Sequence, residues 1–192
     1  KPVQLVVFDL AGTTVQDQDG LVARAFLTVA KDHGIETTPA EINSLRGRSK
    51  IEVFRLLVRR QPGSGDVEHR AMAAHADFQR HVLSAYERNC PPIDGAADTF
   101  RFLKERGVRI AVDSGFDRLI MGAVLGSVGW LRDGLIDCAV SVEDVPVGRP
   151  APYMIFRAMT DLGVQDVRNV VKVGDTPADL QEGSNAGCRG VI

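Results

Sequence analysis

Carboxylates stand directly after two apolar runs of the chain, each of which is predicted to be a buried strand. Asp9 follows the first run, and Asp175 and Asp179 follow the second. Because open α/β sheets bind ligands at the carboxyl ends of their strands, we expect these three side chains to lie together. Unpaired carboxylates repel one another, and Mg²⁺ prefers hard oxygen ligands. The spacing therefore predicts a magnesium site, which the backbone carbonyl of Ala11 can complete.

Together with three further residues, these carboxylates suit phosphoryl transfer. A carboxylate held beside a metal attacks phosphorus in line and gives an acyl-phosphate that water hydrolyses, a role we predict for Asp9. Arg149, in a Gly-Arg-Pro segment, can neutralise the transferred phosphate. The hydroxyl of Ser114 and the backbone N–H of Gly115 suit a phosphate oxygen. Each residue alone has an ordinary alternative, namely a capping aspartate, a surface arginine or a simple turn, so the hypothesis depends on the combination.

Length, charge and cysteine content narrow the remaining classes. The 192 residues carry a net charge of −2 and are 44% apolar and 25% charged, which suits one main domain with a small insert. That charge gives no reason to expect nucleic acid or a membrane surface as a partner, and no apolar run reaches the length of a membrane span. Three widely spaced cysteines and an opening strand predict no disulfides, no signal peptide and a cytoplasmic protein. Because the chain stops inside a predicted strand, we expect a closing helix beyond Ile192.

Short, apolar, β-branched runs alternate with helix-length segments over most of the chain. The predicted strands cover residues 4–8, 109–112, 138–141, 169–173 and 190–192. Predicted helices at 118–126, 151–162 and 177–186 separate the last four strands. Strands that alternate with helices indicate an α/β fold with a parallel, doubly wound sheet, and right-handed crossovers place all strand ends on one edge.

Residues 16–90 break this rhythm, because they carry helical spacing and no clear strand. Apolar stripes predict three helices there. Their members are Leu21, Ala25, Thr28 and Val29, then Ile51, Phe54, Leu57 and Val58, then Met72, Phe78, Val82 and Tyr86. The turn segment Pro62-Gly63-Ser64-Gly65 separates the second helix from the third. We therefore expect a helical insert at 16–90 that covers the strand-end site, with 1–15 and 91–192 forming the sheet unit.

The order of these motifs resembles that of the haloacid dehalogenase superfamily over the whole chain. The matching elements are Asp9-x-x-Gly-Thr-Thr, then Ser114, then Arg149, then Gly174-Asp175-x-x-x-Asp179. The resemblance implies a Rossmann-like core, a helical cap inserted after the first strand, and Mg²⁺-dependent phosphoryl transfer through an aspartyl-phosphate. We expect contacts with phosphate or substrate from Leu10, Ala11, Thr13, Ser114, Gly115, Arg149, Arg46 and Gly47. The acidic pair argues against the metal-free dehalogenases of the superfamily.

Ala11 separates this chain from the usual phosphatases of the superfamily, which carry aspartate there as a general acid for the leaving alcohol. An alanine resembles the phosphonatase branch, in which a cap lysine forms a Schiff base with the substrate and a P–C bond breaks to give an enamine. Lys50, at the start of a predicted cap helix, matches that catalytic lysine. Nearby Arg46 and Arg48 are expected to lower its pKa. The alternatives are a solvated lysine and one that only holds the substrate.

Three positions around Lys50 depart from the phosphonatase pattern. Asp19, Arg46 and Val53 stand where phosphonatases carry a cysteine, a methionine and a histidine, and this more charged pocket predicts a different, more anionic substrate. The leading hypothesis is hydrolysis of a small phosphonate with Mg²⁺ as cofactor, and a homodimer is left open. The alternatives are a phosphomonoester phosphatase similar to phosphoglycolate phosphatases, a phosphosugar mutase, against which Ala11 argues, and a non-catalytic binder of phosphorylated ligands.

Overall fold

A five-stranded parallel sheet forms the centre of the molecule. The computed structural model describes residues 2–63 and 65–192. The strands are β1 (Leu5–Asp9), β2 (Arg109–Ser114), β3 (Cys138–Ser141), β4 (Val170–Val173) and β5 (Gly190–Val191). They lie in the order β3-β2-β1-β4-β5, with parallel pairing throughout. The predicted α/β fold with a parallel sheet is confirmed. The bounds of β3 are as expected, and those of the other strands differ from the expected ones by one or two residues.

The central strand β1 is buried along its whole length. Its alternate side chains enter two separate hydrophobic clusters, as expected for a strand covered on both faces. Asp9 lies opposite Asp113 of β2, and Phe8 lies opposite Val173 of β4. The register therefore brings the carboxyl ends of β1, β2 and β4 level with one another, at the edge where the sequence predicted the site.

Four α-helices follow β1 within residues 16–90. They are α1 (Leu21–Asp32), α2 (Pro39–Ser44), α3 (Lys50–Arg59) and α4 (Val67–Arg88). Their interior is aromatic, since the ring centroids of Phe26, Phe54 and Phe78 lie 4.5 to 5.9 Å apart. Ser64, part of the predicted break before α4, lies outside the described residues.

The prediction that Thr28 and Met72 face the interior of the helices is wrong, because both side chains are exposed. In α4 the inward positions near Met72 belong to Ala71 and Ala74, which are fully buried. Small residues at these positions let α4 pack closely on its neighbours, so the bulkier methionine falls on the outer side of the helix. Single exposed apolar side chains are common on protein surfaces.

The remaining helices cover the two faces of the sheet. They are α5 (Ala96–Lys104), α6 (Arg118–Val128), α7 (Tyr153–Asp161) and α8 (Pro177–Ala186). Phe100 of α5 packs edge-on against Phe8 and against Trp130, which makes Trp130 a core residue. On the other face, Met154 and Ile155 of α7 join the second hydrophobic cluster. The sequence pattern predicted α6, α7 and α8, and both ends of α8 are correct. It did not predict α5.

The chain passes between the sheet unit and the helical insert through two linkers that run side by side. Val15 forms an antiparallel bridge with Pro92. Gln16 N donates to Pro91 O at 3.0 Å, and Ile93 N donates to Thr14 O at 2.8 Å. These bonds lie next to the expected boundaries at 15/16 and 90/91. The division into a sheet unit and a cap stays a prediction.

Candidate active site

The turn after β1 is shaped by hydrogen bonds to its own backbone. The Thr14 hydroxyl donates to the carbonyls of Asp9 and Leu10, at 3.1 and 3.0 Å. Gly12 has a φ of +101°, and a Cβ on it would lie 2.7 Å from Oδ2 of Asp175. Only glycine therefore satisfies both the backbone conformation and the close approach. The turn brings the first strand end directly against the acidic segment that follows β4.

Three carboxylates meet at this edge, as the strand-end pattern predicted. Oxygens of Asp9, Asp175 and Asp179 all lie within 4.8 Å of one another. Thr13 Oγ1 donates to Asp175 Oδ1 at 3.1 Å, and Thr176 holds Asp179 in a capping box at the start of α8. Asp179 therefore caps a helix and also belongs to the acidic cluster. Hard oxygen donors grouped this closely fit Mg²⁺.

Arg149 lies among these carboxylates with a fully buried side chain. Its Nη2 donates to Asp9 Oδ1 at 2.6 Å, and its Nη1 bonds Asp179 Oδ1. Burial raises the pKa of Asp9 to about 6, although the Arg149 guanidinium acts in the opposite direction. Burial also raises the pKa of Asp179, but Arg149 and Lys172 outweigh it and hold that pKa below its usual value. The predicted phosphate-binding arginine thus contacts the proposed nucleophile directly.

Lys50, the first residue of α3, is 6% exposed. Its Nζ donates to Arg48 O at 3.0 Å and lies 5.1 Å from the ring centroid of Phe116. Burial, followed by the charge of Arg149, lowers the pKa of Lys50 to about 8, while Asp9 opposes the shift. The alternative of a solvated lysine at this position is wrong.

The lowering of that pKa has a different main cause from the one expected. Arg46 and Arg48 were predicted to lower it, whereas the largest contributions come from burial and Arg149. Arg46 is paired with Asp175, at 2.9 Å between Nη2 and Oδ2. Arg48 lines a separate surface depression that does not include Lys50.

One narrow cavity, with a volume of about 30 Å³, lies between the strand ends and the helical insert. Its lining contains most of the residues that the sequence analysis proposed for the site. From that set it is lined by Asp9, Ala11, Arg46, Gly47, Lys50, Val53, Ser114 and Gly115. A Cβ on Gly115 would lie about 2.5 Å from Arg48 O, so glycine lets the insert lie directly on the end of β2. The lining of the cavity combines apolar side chains with a few charged and polar groups, which is the composition of a small-ligand site.

Other predicted contacts lie outside this lining. The side chain of Leu10 is completely buried in the hydrophobic core, so any contact with substrate is confined to its backbone. Thr13 contacts Asp175, and Asp19 lines an outer cleft that shares Arg46 and Asp17 with the cavity. Arg149 lies beneath the cavity rather than in its lining.

Sequence reasoning missed four charged residues near the site. Asp17 lines the cavity, 3.9 Å from Arg46. Asp113, Lys172 and Glu182 are fully buried beneath Arg149. The available signal was a lysine inside an apolar strand, since a buried charge requires partners.

Comparisons with known proteins agree with this fold and show the family to which the chain belongs. A model of haloacid dehalogenase-like hydrolases matches residues 3–187. The chain belongs to this family. A phosphonoacetaldehyde hydrolase from Parabacteroides distasonis is 33% identical over 97% of this chain and 74% of its own length. One from Bacillus cereus is 31% identical over 96% of this chain and 73% of its own.

A solved structure, of a phosphonoacetaldehyde hydrolase-like protein from Oleispira antarctica, has a TM-score of 0.83 at 26% identity. The match covers 99% of this chain and 72% of that one. The chain is therefore a hydrolase of the haloacid dehalogenase superfamily, and its phosphonatase-like resemblance is confirmed. Members of this family generally use Mg²⁺, and the acidic cluster around Asp9 is a set of residues that can bind a metal.

Proposed function

We propose that this hydrolase cleaves the P–C bond of a small phosphonate that carries an aldehyde or ketone next to the phosphonomethyl carbon. The observation that carries the proposal is the position of Lys50. It is a buried amine that lines the same cavity as Asp9, and no acid stands at Ala11. The names of the curated relatives, phosphonoacetaldehyde hydrolases, support the same substrate class.

Lys50 acts as the activating amine. It adds to the carbonyl carbon of the substrate, and water leaves to give an imine. A pKa of about 8 leaves about a tenth of the side chain as free amine at pH 7, about 300 times more than at the ordinary pKa of 10.5. The protonated imine then accepts the electron pair of the breaking bond.

Asp9 acts as the nucleophile at phosphorus. Its attack forms the acyl-phosphate as the P–C bond breaks, and the electron pair of that bond passes into the imine to give an enamine. Protonation and hydrolysis of the enamine release the aldehyde or ketone and restore Lys50. Water hydrolyses the acyl-phosphate and restores Asp9.

Arg149 orients Asp9 for this attack from beneath the cavity. Arg149 fixes Oδ1 of Asp9, so we assign the attack to Oδ2. Asp9, Asp175 and Asp179 would hold Mg²⁺, with the carbonyl of Ala11. Mg²⁺ supplies neutralisation of phosphoryl charge when it is bound. Because the leaving group is carbon bonded to an electron sink, no general acid is needed at position 11.

The deciding experiment measures phosphate release with Mg²⁺ from phosphonoacetaldehyde and from a panel of small phosphomonoesters. Wild type is compared with Lys50→Arg and with Lys31→Arg, an exposed lysine of α1. Borohydride is added in parallel to reduce and trap the imine for mass spectrometry. We expect release from the phosphonate and a trapped adduct on Lys50, both lost in Lys50→Arg only. Release from esters alone, with Lys50→Arg fully active, would reject P–C cleavage.

A phosphomonoesterase is the second candidate, because an acid does lie in the cavity. Asp17 lines it together with Asp9 and can stand in for the acid missing at Ala11. Asp17→Asn then lowers ester hydrolysis by about 100-fold, and Ala11→Asp raises it. Ester hydrolysis that neither change affects would exclude this assignment of Asp17.

We further propose a reducing compartment, the cytoplasm, as the place of this reaction. All three cysteines are free thiols. Burial raises the pKa of Cys90 to about 11 and that of Cys188 to about 11, so neither thiol is readily ionised. Among residues 2–63 and 65–192, no helix combines the length and the apolar character that crossing a bilayer requires.

A further inference from the structure

A second group of charged side chains lies beneath Arg149, away from the cavity. It consists of Asp113, Lys172 and Glu182, which we call the buried charge network. All three side chains are 0% exposed. Lys172 Nζ bonds Asp113 Oδ1 and lies 3.2 Å from Glu182 Oε2 and 3.2 Å from Asp179 Oδ1. The network therefore contacts the site from below.

The fold fixes the members of this network on three different elements. Asp113 lies opposite Asp9, next to the last residue of β2, and Lys172 lies in β4 on the other side of β1. Glu182 lies on α8, three residues after Asp179. A Cβ on Gly183 would lie 2.9 Å from the Cβ of Lys172, so α8 is pressed against β4 at this point. Such packing leaves these side chains little freedom to rearrange.

Asp113 and Glu182 face different nitrogens of the Arg149 guanidinium, and Lys172 faces Asp179, which Arg149 also contacts. Nη2 of Arg149, which bonds Asp9, also lies 3.2 Å from Asp113 Oδ1. Nε lies 3.7 Å from Glu182 Oε2, and Nη1 faces Asp179. Because a guanidinium is planar with a fixed fork of donors, carboxylates on its several sides set its rotation as well as its position.

The energetic cost of the network points to a role in the site. Buried ion pairs are often neutral or destabilising relative to apolar residues of similar size, because desolvation offsets their attraction. Burial, with Asp113 as the next cause, raises the pKa of Glu182 to about 9, which records this cost. The network's contacts lead to Arg149 and Asp179, both proposed site residues. We propose that Lys172, Asp113 and Glu182 are positioning residues that hold Arg149 against Asp9.

Lys172 is the member whose loss disturbs this arrangement most. With Lys172 present, Asp113 has its own cation, and Arg149 remains on Asp9 and Asp179. Without it, Arg149 is the one cation that the described residues place near Asp9, Asp113 and Asp179, and Asp113 competes with Asp9 for Nη2. This inference rests on phosphoryl transfer to Asp9 but not on whether the substrate is a phosphonate or an ester.

The test compares Lys172→Met with the charge-balanced double variant Lys172→Met/Asp113→Asn, and with Lys104→Met as a surface control. Lys104, at the end of α5, forms a partly exposed pair with Asp137, which lies just before β3 and so near the start of the strands rather than at their carboxyl ends. Circular dichroism checks that each variant is folded. For each folded variant, kcat and KM are measured for the best substrate, and the affinity for inorganic phosphate with Mg²⁺ is measured by calorimetry.

In Lys172→Met we expect kcat to fall by about 10- to 100-fold with KM within about threefold, as for residues that orient a reacting group. The double variant recovers about a third to two thirds of that loss on a logarithmic scale, because the unpaired carboxylate is gone but Lys172 is still missing. Lys104→Met behaves as wild type. If Lys172→Met does not fold, the double variant alone decides: a kcat equal to that of wild type rejects the proposal.

An unchanged kcat in folded Lys172→Met, or a double variant less active than the single one, also rejects the positioning role. The phosphate measurement separates this failure from failure of the proposed function. If no phosphonate or ester is hydrolysed by wild type, the phosphate affinity still reports on Arg149. We then expect Lys172→Met to weaken it by about fivefold and the double variant to restore it.

Discussion

The two halves of the site are held in different ways. On the sheet side, Asp9 is fixed by Arg149, and Arg149 by three further carboxylates, all in the buried interior. On the insert side, Lys50 Nζ donates one hydrogen bond among the described residues, to Arg48 O of its own loop. The sheet half is thus a rigid array of paired charges, whereas the reactive amine of the insert is held mainly by burial.

This difference separates two tasks in the proposed reaction. Attack on phosphorus needs a fixed geometry and compensated charge, which several strands supply together. Activation of the organic part of the substrate needs an amine that is partly free and able to change partners, which a buried lysine without a carboxylate partner supplies. The sheet half therefore determines that phosphorus is attacked, and the insert half determines which bond to phosphorus breaks.

The largest effect is expected at the sheet half. Asp9→Asn keeps the shape of the side chain but removes the nucleophile, so phosphate release from phosphonate and ester alike should fall by about 10⁴-fold or more. Asp98→Asn, an exposed aspartate of α5, is the matched control. Phosphate release assays with either substrate class check the prediction. Substantial hydrolysis by Asp9→Asn would contradict the aspartyl-phosphate route and the division of tasks.

The next largest effect is a pH dependence of phosphonate cleavage that arises from Lys50, in the insert half of the site. The imine forms from neutral Lys50, whose pKa is lowered to about 8, so the reactive fraction rises with pH and levels off above that value. Between pH 6 and pH 8 this fraction increases by about 50-fold. We expect kcat/KM for phosphonoacetaldehyde to follow it.

Asp9 also gains its charge near the lower end of this range, since burial raises its pKa to about 6. That change affects phosphonate and ester equally. The ratio of the two rates therefore isolates Lys50, and it should rise with pH through pH 8 and level off above about pH 9. A ratio that is flat from pH 6 to pH 9 would contradict imine formation.

A smaller effect is expected where the insert docks on the sheet unit. Gln79 of α4 donates to Asp117 Oδ2 at 2.9 Å, and Asp117 caps α6 just after Ser114 and Gly115, the predicted phosphate contacts. Gln79→Ala removes about 1 kcal/mol from this docking, which raises KM by roughly fivefold and leaves kcat unchanged. Gln61→Ala is the matched control, because the side-chain hydrogen bonds of Gln61 among the described residues go to Glu36 and Leu57, both within the insert. A fall in kcat without a change in KM would show that the contact orients the reacting groups instead.

The sequence predicted the sheet half of the site better than the insert half, because the sequence patterns that determine the sheet half lie close to the residues concerned. Asp9 and Asp175 each follow an apolar strand, and the register of parallel strands then requires them to meet. The bounds of α8 were correct because Thr176, Pro177 and Asp179 form a capping box with proline at the first helical position, and Gly187 ends the helix. These features lie within a few residues of the positions they determine.

No such local pattern indicated which residues of the buried charge network would pair with one another. Lys172 stands inside an apolar strand, and its partner Asp113 is 59 residues away in the chain. Which acid would pair with it depends on the order of the strands, which alternation alone does not give. The same holds for Lys50, whose pKa depends on burial and on Arg149, from a different element, rather than on the arginines beside it in the sequence.

The smallest effect concerns the charge of the substrate. Arg46 stands where phosphonatases carry methionine, lines the cavity and the outer cleft, and is paired with Asp175 on the partly exposed side of the site. If Arg46 selects a second anionic group, Arg46→Met should lower kcat/KM for a carboxylated phosphonate by about threefold relative to phosphonoacetaldehyde, since partly exposed ion pairs contribute at most about 1 kcal/mol. Arg48→Met, which faces a separate depression, should leave the ratio unchanged. An equal loss for both substrates would instead mean that Arg46 acts by holding Asp175, which would place it functionally with the sheet half although the insert carries it.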